Sequence, residues 1–271
     1  MRNLLLLFAA MLLFASCRST DLIRPGDSLE VAYEKAVNQF EQENYSEAAR
    51  AFETVISIGR GTDIGQDSQF YLAESYFNNR RYLVAASEYE RYSQFHPNSP
   101  RREKADFKRA LSFYNLSPRY RLDQTYTYRA IENFRLLMSR FPNSEYAEDA
   151  AEYISELRTK LARKAYSSGE FYKRTNRFQA AAVYFDIVID NYPETMWAER
   201  ALVDQMESYI LFAENSVAAR QAERFEKALE SYETYLQLFP RGENRSRVES
   251  LFDRAQSGLR NATQGDSVAQ N

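Results

Sequence analysis

The chain of 271 residues has one cysteine, one histidine and one tryptophan, with only 8 glycines and 7 prolines. A single cysteine excludes a disulfide within the chain, and a single histidine leaves little material for metal binding or acid–base catalysis. Few glycines and prolines argue against a turn-rich β fold. The sequence also lacks the glycine-rich phosphate loop, the zinc-protease motif and the hydrolase nucleophile motif. We therefore expect neither an enzyme nor a metal site.

The sequence also lacks a large excess of either charge, because 35 basic and 38 acidic residues give a net charge of −3. Nucleic-acid binders depend on a basic surface that attracts phosphate, so a nucleic-acid partner is not expected. Aromatic residues, in contrast, are plentiful, with 20 tyrosines and 18 phenylalanines. Such rings suit helix pairs in which small residues face large ones.

Four helical segments end in the same way, with an aromatic residue or histidine followed by proline. The four pairs are His96 and Pro97, Phe141 and Pro142, Tyr192 and Pro193, and Phe239 and Pro240. Because His96 occupies a position that rings fill elsewhere, we interpret it as structural. Upstream of each proline, apolar residues recur at helical spacing. This regularity indicates a repeat of one supersecondary unit.

The repeat resembles the tetratricopeptide (TPR) unit, a helix-turn-helix of about 34 residues with small residues at fixed positions. These positions hold Ala36, Ala73, Ala110, Gly169 and Met206 in first helices, and Ala48, Ala85, Ala130, Ala181 and Ala228 in second helices. We predict an all-α TPR superhelical solenoid of about five repeats. The predicted parts are an N-terminal half at 29–145 with repeats 1–3, a C-terminal half at 146–260 with repeats 4–5 and a capping helix, and a disordered tail at 261–271.

The N-terminus reads as a bacterial lipoprotein signal at 1–16, with an apolar run too short to cross a bilayer. Cys17 follows small residues, which resembles a lipobox, so we expect an N-acyl group and an S-diacylglycerol on Cys17. A flexible tether at 17–28 would follow, and no other cofactor is expected. Arg18 is not the inner-membrane retention aspartate, which favours the periplasmic face of the outer membrane. The alternative is ordinary signal cleavage nearby, with Cys17 incidental.

Solenoids bind partners along the concave surface formed by their first helices. In the TPR register this surface holds an aromatic ladder. Its predicted members are Tyr33, Phe40, Phe70, Phe77, Phe107 and Tyr114. Such a groove would suit aromatic-rich peptides. The alternative is a register shifted by one residue, in which these rings pack between helices.

Two segments carry a more specific resemblance: RLDQTYT at 121–127 and RFPNSEYAEDA at 140–150. Together with Cys17 and the five repeats, they resemble the BamD family of lipoproteins of the outer-membrane β-barrel assembly machinery. This resemblance implies a scaffold without catalysis. Its N-terminal repeats would receive unfolded outer-membrane proteins, and its C-terminal repeats would dock on a BamA-like insertase.

The resemblance places partner docking in the turn after Pro193, at Trp197, Glu199 and Arg200. Family members use an arginine near this point, but here the alignment puts Glu199 at its position and Arg200 one residue later. Trp197 is either an anchor or core filling. The alternative interpretation is that the chain is a different periplasmic TPR lipoprotein, one that coordinates cell-wall synthesis or envelope constriction. The insertion at 121–127 favours the assembly scaffold.

Overall fold

The computed structural model describes the backbone of residues 22–269 and the side chains of residues 22–264. The predicted signal at 1–16 and Cys17 lie outside this range. The regular secondary structure of residues 22–269 is helical. The helices are α1 (Leu29–Glu41), α2 (Tyr45–Ile58), α3 (Asp63–Asn78), α4 (Tyr82–Phe95), α5 (Arg102–Leu116), α6 (Thr125–Arg140), α7 (Ala147–Arg174), α8 (Phe178–Asn191), α9 (Met196–Glu214), α10 (Ala218–Leu238) and α11 (Arg245–Ala269). This confirms the all-α, TPR-type prediction.

Three helix pairs, α1–α2, α3–α4 and α7–α8, are closed by the same turn. In each turn one residue adopts a left-handed conformation, with φ of 61° at Glu43, 59° at Arg80 and 58° at Asn176. The next backbone N–H donates to a carbonyl five residues back, as in Arg81 N to Tyr76 O at 2.8 Å. The same left-handed residue and the same hydrogen bond recur in all three turns, so the sequence repeat is also a structural repeat.

The small repeat positions are buried because a neighbouring ring covers them. Gly169 of α7 is the clearest case, since a Cβ there would lie 2.5 Å from Cε1 of Phe185 on α8. Phe185 is itself fully buried. A side chain at Gly169 would therefore force the helices apart, which explains why the fourth repeat has glycine where the first three repeats have alanine.

Residues 22–116 form one compact unit, unit 1. Its core combines small residues with stacked rings: Phe52 lies parallel to Tyr71, with centroids 5.6 Å apart, and Phe40 meets both rings edge-on. A second cluster places Phe70 against Tyr89 and Tyr92. Burial of large rings dominates the stability of such a core.

Residues 117–269 form a second compact unit, unit 2. Its longest helix is α7, with 28 residues. The predicted halves meet at 145/146, whereas the compact units divide at 116/117. The division falls at the start of the connection 117–124, which contains Pro118 and is longer than the turns within the other hairpins.

Both ends of the described chain are more ordered than the sequence suggests. In the expected tether, Leu22 and Ile23 pack against the unit 1 core, and the Asp27 carboxylate accepts bonds from Arg24 N at 2.7 Å and Lys35 Nζ at 2.6 Å. Residues 22–28 are therefore not a free tether. The capping helix α11 continues to Ala269, so residues 261–269 of the expected disordered tail are helical. Extending an existing helix needs no new nucleation. None of the described helices has the length and apolarity needed to cross a bilayer.

Candidate partner-binding surfaces

The predicted aromatic groove of unit 1 divides into buried and half-buried rings. Phe70 and Phe107 are only 4% and 7% exposed, so these two belong to the core and offer no ligand surface, which corrects the prediction. Their rings fill the space between helices, as the alternative register implied. Tyr33, Phe40, Phe77 and Tyr114 are half-buried.

Two half-buried rings of unit 1, Phe77 and Tyr71, lie beneath basic side chains. Lys108 Nζ sits 4.3 Å from the centre of the Phe77 ring, and the Arg101 guanidinium lies 5.5 Å from the Tyr71 ring. Arg101 also lies 5.3 Å from the buried Phe70 ring. Each is a cation–π contact. This surface of unit 1 is therefore a mixed cationic and aromatic one, not the bare ladder of rings expected from the sequence.

Glu199 has an internal role. Its Oε1 accepts bonds from Tyr235 Oη at 2.8 Å, from the Asn244 backbone N–H at 2.9 Å and from Asn244 Nδ2 at 3.1 Å. Burial by itself raises the pKa of Glu199, but these bonds outweigh it and hold the pKa below its usual value. Glu199 thus links α9 to the turn between α10 and α11 through hydrogen bonds. Its carboxylate has this internal role in place of the predicted docking role.

Trp197 lies at the start of α9 and is the centre of a column of alternating rings and cations. The Arg200 guanidinium is 5.6 Å from the Trp197 ring centre and the Arg163 guanidinium is 5.9 Å away, and Arg163 also lies 4.3 Å from the Tyr120 ring. The Tyr166 ring packs against Trp197 at 5.0 Å. This column holds the indole in place from several directions.

A pocket of about 480 Å³ opens beside this column, which we call the Trp197 pocket. Its lining residues are Arg119, Tyr120, Glu156, Thr159, Lys160, Arg163, Met196 and Trp197. Met196 is 61% exposed. The Trp197 indole N–H is buried and has no hydrogen-bond acceptor among the described residues. A buried donor without an acceptor costs about 1–3 kcal/mol. Because this nitrogen is closed to solvent, an outside acceptor reaches it only if a side chain of the pocket moves.

The insertion at 117–124 forms one wall of the Trp197 pocket and is held by specific bonds. Gln124 Nε2 donates to the carbonyls of Arg119 and Leu122, both at 3.0 Å. Lys160 Nζ donates to Ser117 Oγ at 2.9 Å, and Lys164 Nζ donates to Leu122 O at 2.6 Å. The loop is thereby fixed on α7. The sequence marked this loop as distinctive but did not show that it would line a pocket with Trp197.

His96 occupies a structural position. Its ring packs against Tyr92 at 5.0 Å and its Nε2 lies 2.9 Å from Gln69 Oε1. Burial lowers the pKa of His96. Among the described residues no group of histidine, cysteine or carboxylate side chains could hold a metal ion.

Stacked helix hairpins with small residues at the repeat positions define a solenoid of the TPR class. The family model of YfiO, described as outer membrane lipoprotein, matches residues 25–225. The chain therefore belongs to the YfiO family of outer membrane lipoproteins, which confirms the resemblance seen in the sequence.

Two BamD proteins of other bacteria support this assignment. The outer membrane protein assembly factor BamD of Rickettsia prowazekii is 28% identical over 193 residues, covering 71% of this chain and 76% of that protein. BamD of Vibrio cholerae is 25% identical over 214 residues, covering 75% and 88%. A TPR repeats protein from Bacteroides fragilis is 12% identical, with a TM-score of 0.46, covering 85% of this chain and 98% of its own.

Proposed function

We propose that this protein is a lipid-anchored scaffold in the assembly of outer-membrane β-barrel proteins, with no catalytic step of its own. Family membership and the relatives named as outer membrane protein assembly factors support this role. Cys17 would carry the lipids and hold the protein on the periplasmic face of the outer membrane, because several acyl chains give nearly permanent attachment.

The Trp197 pocket, with its exposed edge at Met196, is the observation that carries the docking part of the proposal. The apolar surface of a BamA-like insertase would cover Met196 and, as the pocket opens, would supply a carbonyl or carboxylate acceptor to the indole N–H. Tryptophan and arginine are the residues most often found at the energetic centres of interfaces. Trp197 and Arg200 are thus the proposed docking residues, with Arg163 orienting the indole.

Unfolded barrel precursors would be received by unit 1. The half-buried rings at Tyr33, Phe40, Phe77 and Tyr114 offer contacts to aromatic side chains. The cations above Phe77 and Tyr71 have carboxylate partners in unit 1, Lys108 with Glu74 at 3.8 Å and Arg101 with Asp67 at 2.7 Å, so the polar part of this surface carries both signs of charge. Precursor strands that alternate apolar and polar residues would match such a mixed surface. Binding by surface complementarity alone requires no cofactor beyond the lipids.

Affinity purification of the tagged, full-length protein from detergent-solubilised outer membranes of its native host tests this function. Mass spectrometry should find a BamA-like barrel protein in near-equal amount. Trp197→Phe keeps the ring but removes the N–H, and we expect it to reduce recovery of the insertase. Arg200→Glu should reduce recovery further, because it reverses a charge beside the indole.

Glu41→Lys is the matched control, since Glu41 is exposed at the end of α1 in unit 1 and charge reversal there should leave recovery unchanged. Equal losses in all three variants would remove the docking assignment. Recovery of cell-wall synthases in place of a barrel protein would overturn the assembly role and favour the envelope coordinator.

A further inference from the structure

A second groove, of about 440 Å³, lies in unit 2 between the insertion loop, α7 and α8. We call it the basic groove and define it by Tyr120, Arg121, Lys164, Phe171, Arg174 and Tyr184. It meets the Trp197 pocket at the shared residue Tyr120. Three cationic side chains line it, and the described lining residues include no carboxylate. In a chain with a net charge of −3, this is a local excess of positive charge.

The loop keeps this positive charge in place. Arg121 Nε donates to Tyr120 Oη at 3.0 Å, and this bond, together with the charges of Arg121 and Arg163, lowers the pKa of Tyr120. Lys164 is fixed by its bond to Leu122 O. The acidic residue of the loop, Asp123, accepts from Thr125 N at 2.9 Å at the start of α6. Its bonds to Thr125 and the charge of Lys164 lower the pKa of Asp123. Asp123 therefore offsets part of the charge at the Lys164 end, and the excess of positive charge in the groove rests on Arg121 and Arg174.

Aromatic surface separates the two cationic ends. Phe171 is 52% exposed, and Tyr172 stacks on Tyr184 with the two ring centres 5.1 Å apart. An exposed phenylalanine beside stacked tyrosines gives an apolar floor for a side chain, flanked by groups that attract anions. The groove thus combines one apolar contact with charge at each end.

The spacing of the cations distinguishes a polypeptide from a single phosphate. Lys164 and Arg174 are ten residues apart on one helix, a rise of about 15 Å, with Arg121 beside Lys164. One phosphate cannot contact both ends. An extended chain advances about 3.3 Å per residue, so two acidic side chains separated by four or five residues would reach the two ends together.

We propose that the basic groove binds an extended acidic segment of a partner protein, with two carboxylates four or five residues apart and an aromatic or aliphatic side chain between them. The carboxylates pair with Arg121 and Lys164 at one end and with Arg174 at the other. The intervening side chain packs on Phe171. Because the groove adjoins the Trp197 pocket, such a segment could be bound while that pocket is occupied.

Fluorescence anisotropy with the full-length protein in non-ionic detergent tests this site. The probe is a labelled decapeptide with two glutamates five positions apart and a phenylalanine between them, and the control peptide has glutamine at both acidic positions. We expect the acidic peptide to bind, with affinity falling as salt is raised. Arg121→Glu and Arg174→Glu should each weaken binding about tenfold or more.

Arg241→Glu is the matched variant, because Arg241 is exposed in the turn before α11, and it should bind the acidic peptide as the unaltered protein does. Equal affinity for the glutamine peptide, or equal affinity in Arg174→Glu, would overturn the proposal. Binding to phosphatidylglycerol vesicles without binding to the peptide would assign the groove to a membrane instead. Recovery of the insertase by these variants reports separately on the docking role of Trp197.

Discussion

Units 1 and 2 use the same helix hairpin, and both contain ring contacts and ion pairs between neighbouring hairpins, but the largest group of such contacts differs between them. In unit 1, rings of successive helices stack on one another around Phe52 and Phe70. In unit 2, a charged network crosses three helices: Lys173 of α7 and Arg247 of α11 both contact Asp204 and Glu207 of α9. The TPR backbone therefore fixes where helices meet but leaves open whether rings or charges join them.

The charged network of unit 2 is partly buried, so water and salt screen its ion pairs less than they screen surface pairs. Asp204 is 5% exposed and also accepts a bond from Tyr166 Oη. Burial alone lowers the pKa of Lys173, but its bonds to Asp204 and Glu207 outweigh burial and raise that pKa. Removing one partner of such a cluster leaves an uncompensated charge away from water.

Phe52→Ala should produce the largest loss of stability in unit 1. Phe52 is fully buried and contacts rings on two neighbouring helices, and such truncations cost about 3–5 kcal/mol. Hydrogen exchange with mass spectrometry should show faster exchange in α1 to α3. Ile58→Ala, at a 53% exposed position, is the control. A loss that depends strongly on salt would contradict the apolar account of unit 1.

Lys173→Met should destabilise unit 2 by about 3 kcal/mol, since it leaves Asp204 and Glu207 with Arg247 alone. Exchange should accelerate in α7, α9 and α11, and chemical denaturation should report the loss. Arg174→Met changes the next residue, which is exposed, and should shift stability by less than about 0.5 kcal/mol. Equal effects at the two positions would show that the network contributes little.

Glu199→Gln should give the smallest effect, and one that depends on pH. The folded-state pKa of Glu199 lies below its unfolded value of 4.5, so its ionised form stabilises the fold above that value. This contribution disappears as pH falls through the folded-state pKa. Glu199→Gln should therefore be less stable near neutral pH by about 1 kcal/mol and match the unaltered protein in acid. A difference that stays constant down to low pH would contradict this account.

Most of the fold was predictable, because small residues and rings recur at helical spacing and their burial is the main driving force. The pairing of Gly169 with Phe185 and the burial of Ala36, Ala73 and Ala110 follow from that pattern. The candidate sites were less predictable. Phe70 and Phe107 share the spacing of surface rings but are core, because a shift of one helix position moves a side chain by about 100°.

The sequence by itself determined the number of repeats, the helical class and the resemblance to the YfiO family, because these depend on local spacing along the chain. Only the tertiary structure decided that Glu199 accepts hydrogen bonds from Asn244 and Tyr235. It also decided that the Trp197 N–H has no acceptor among the described residues, and that Arg121 and Lys164 line the same groove. These contacts join residues distant in sequence, and no local pattern encodes which distant partner a polar group will meet.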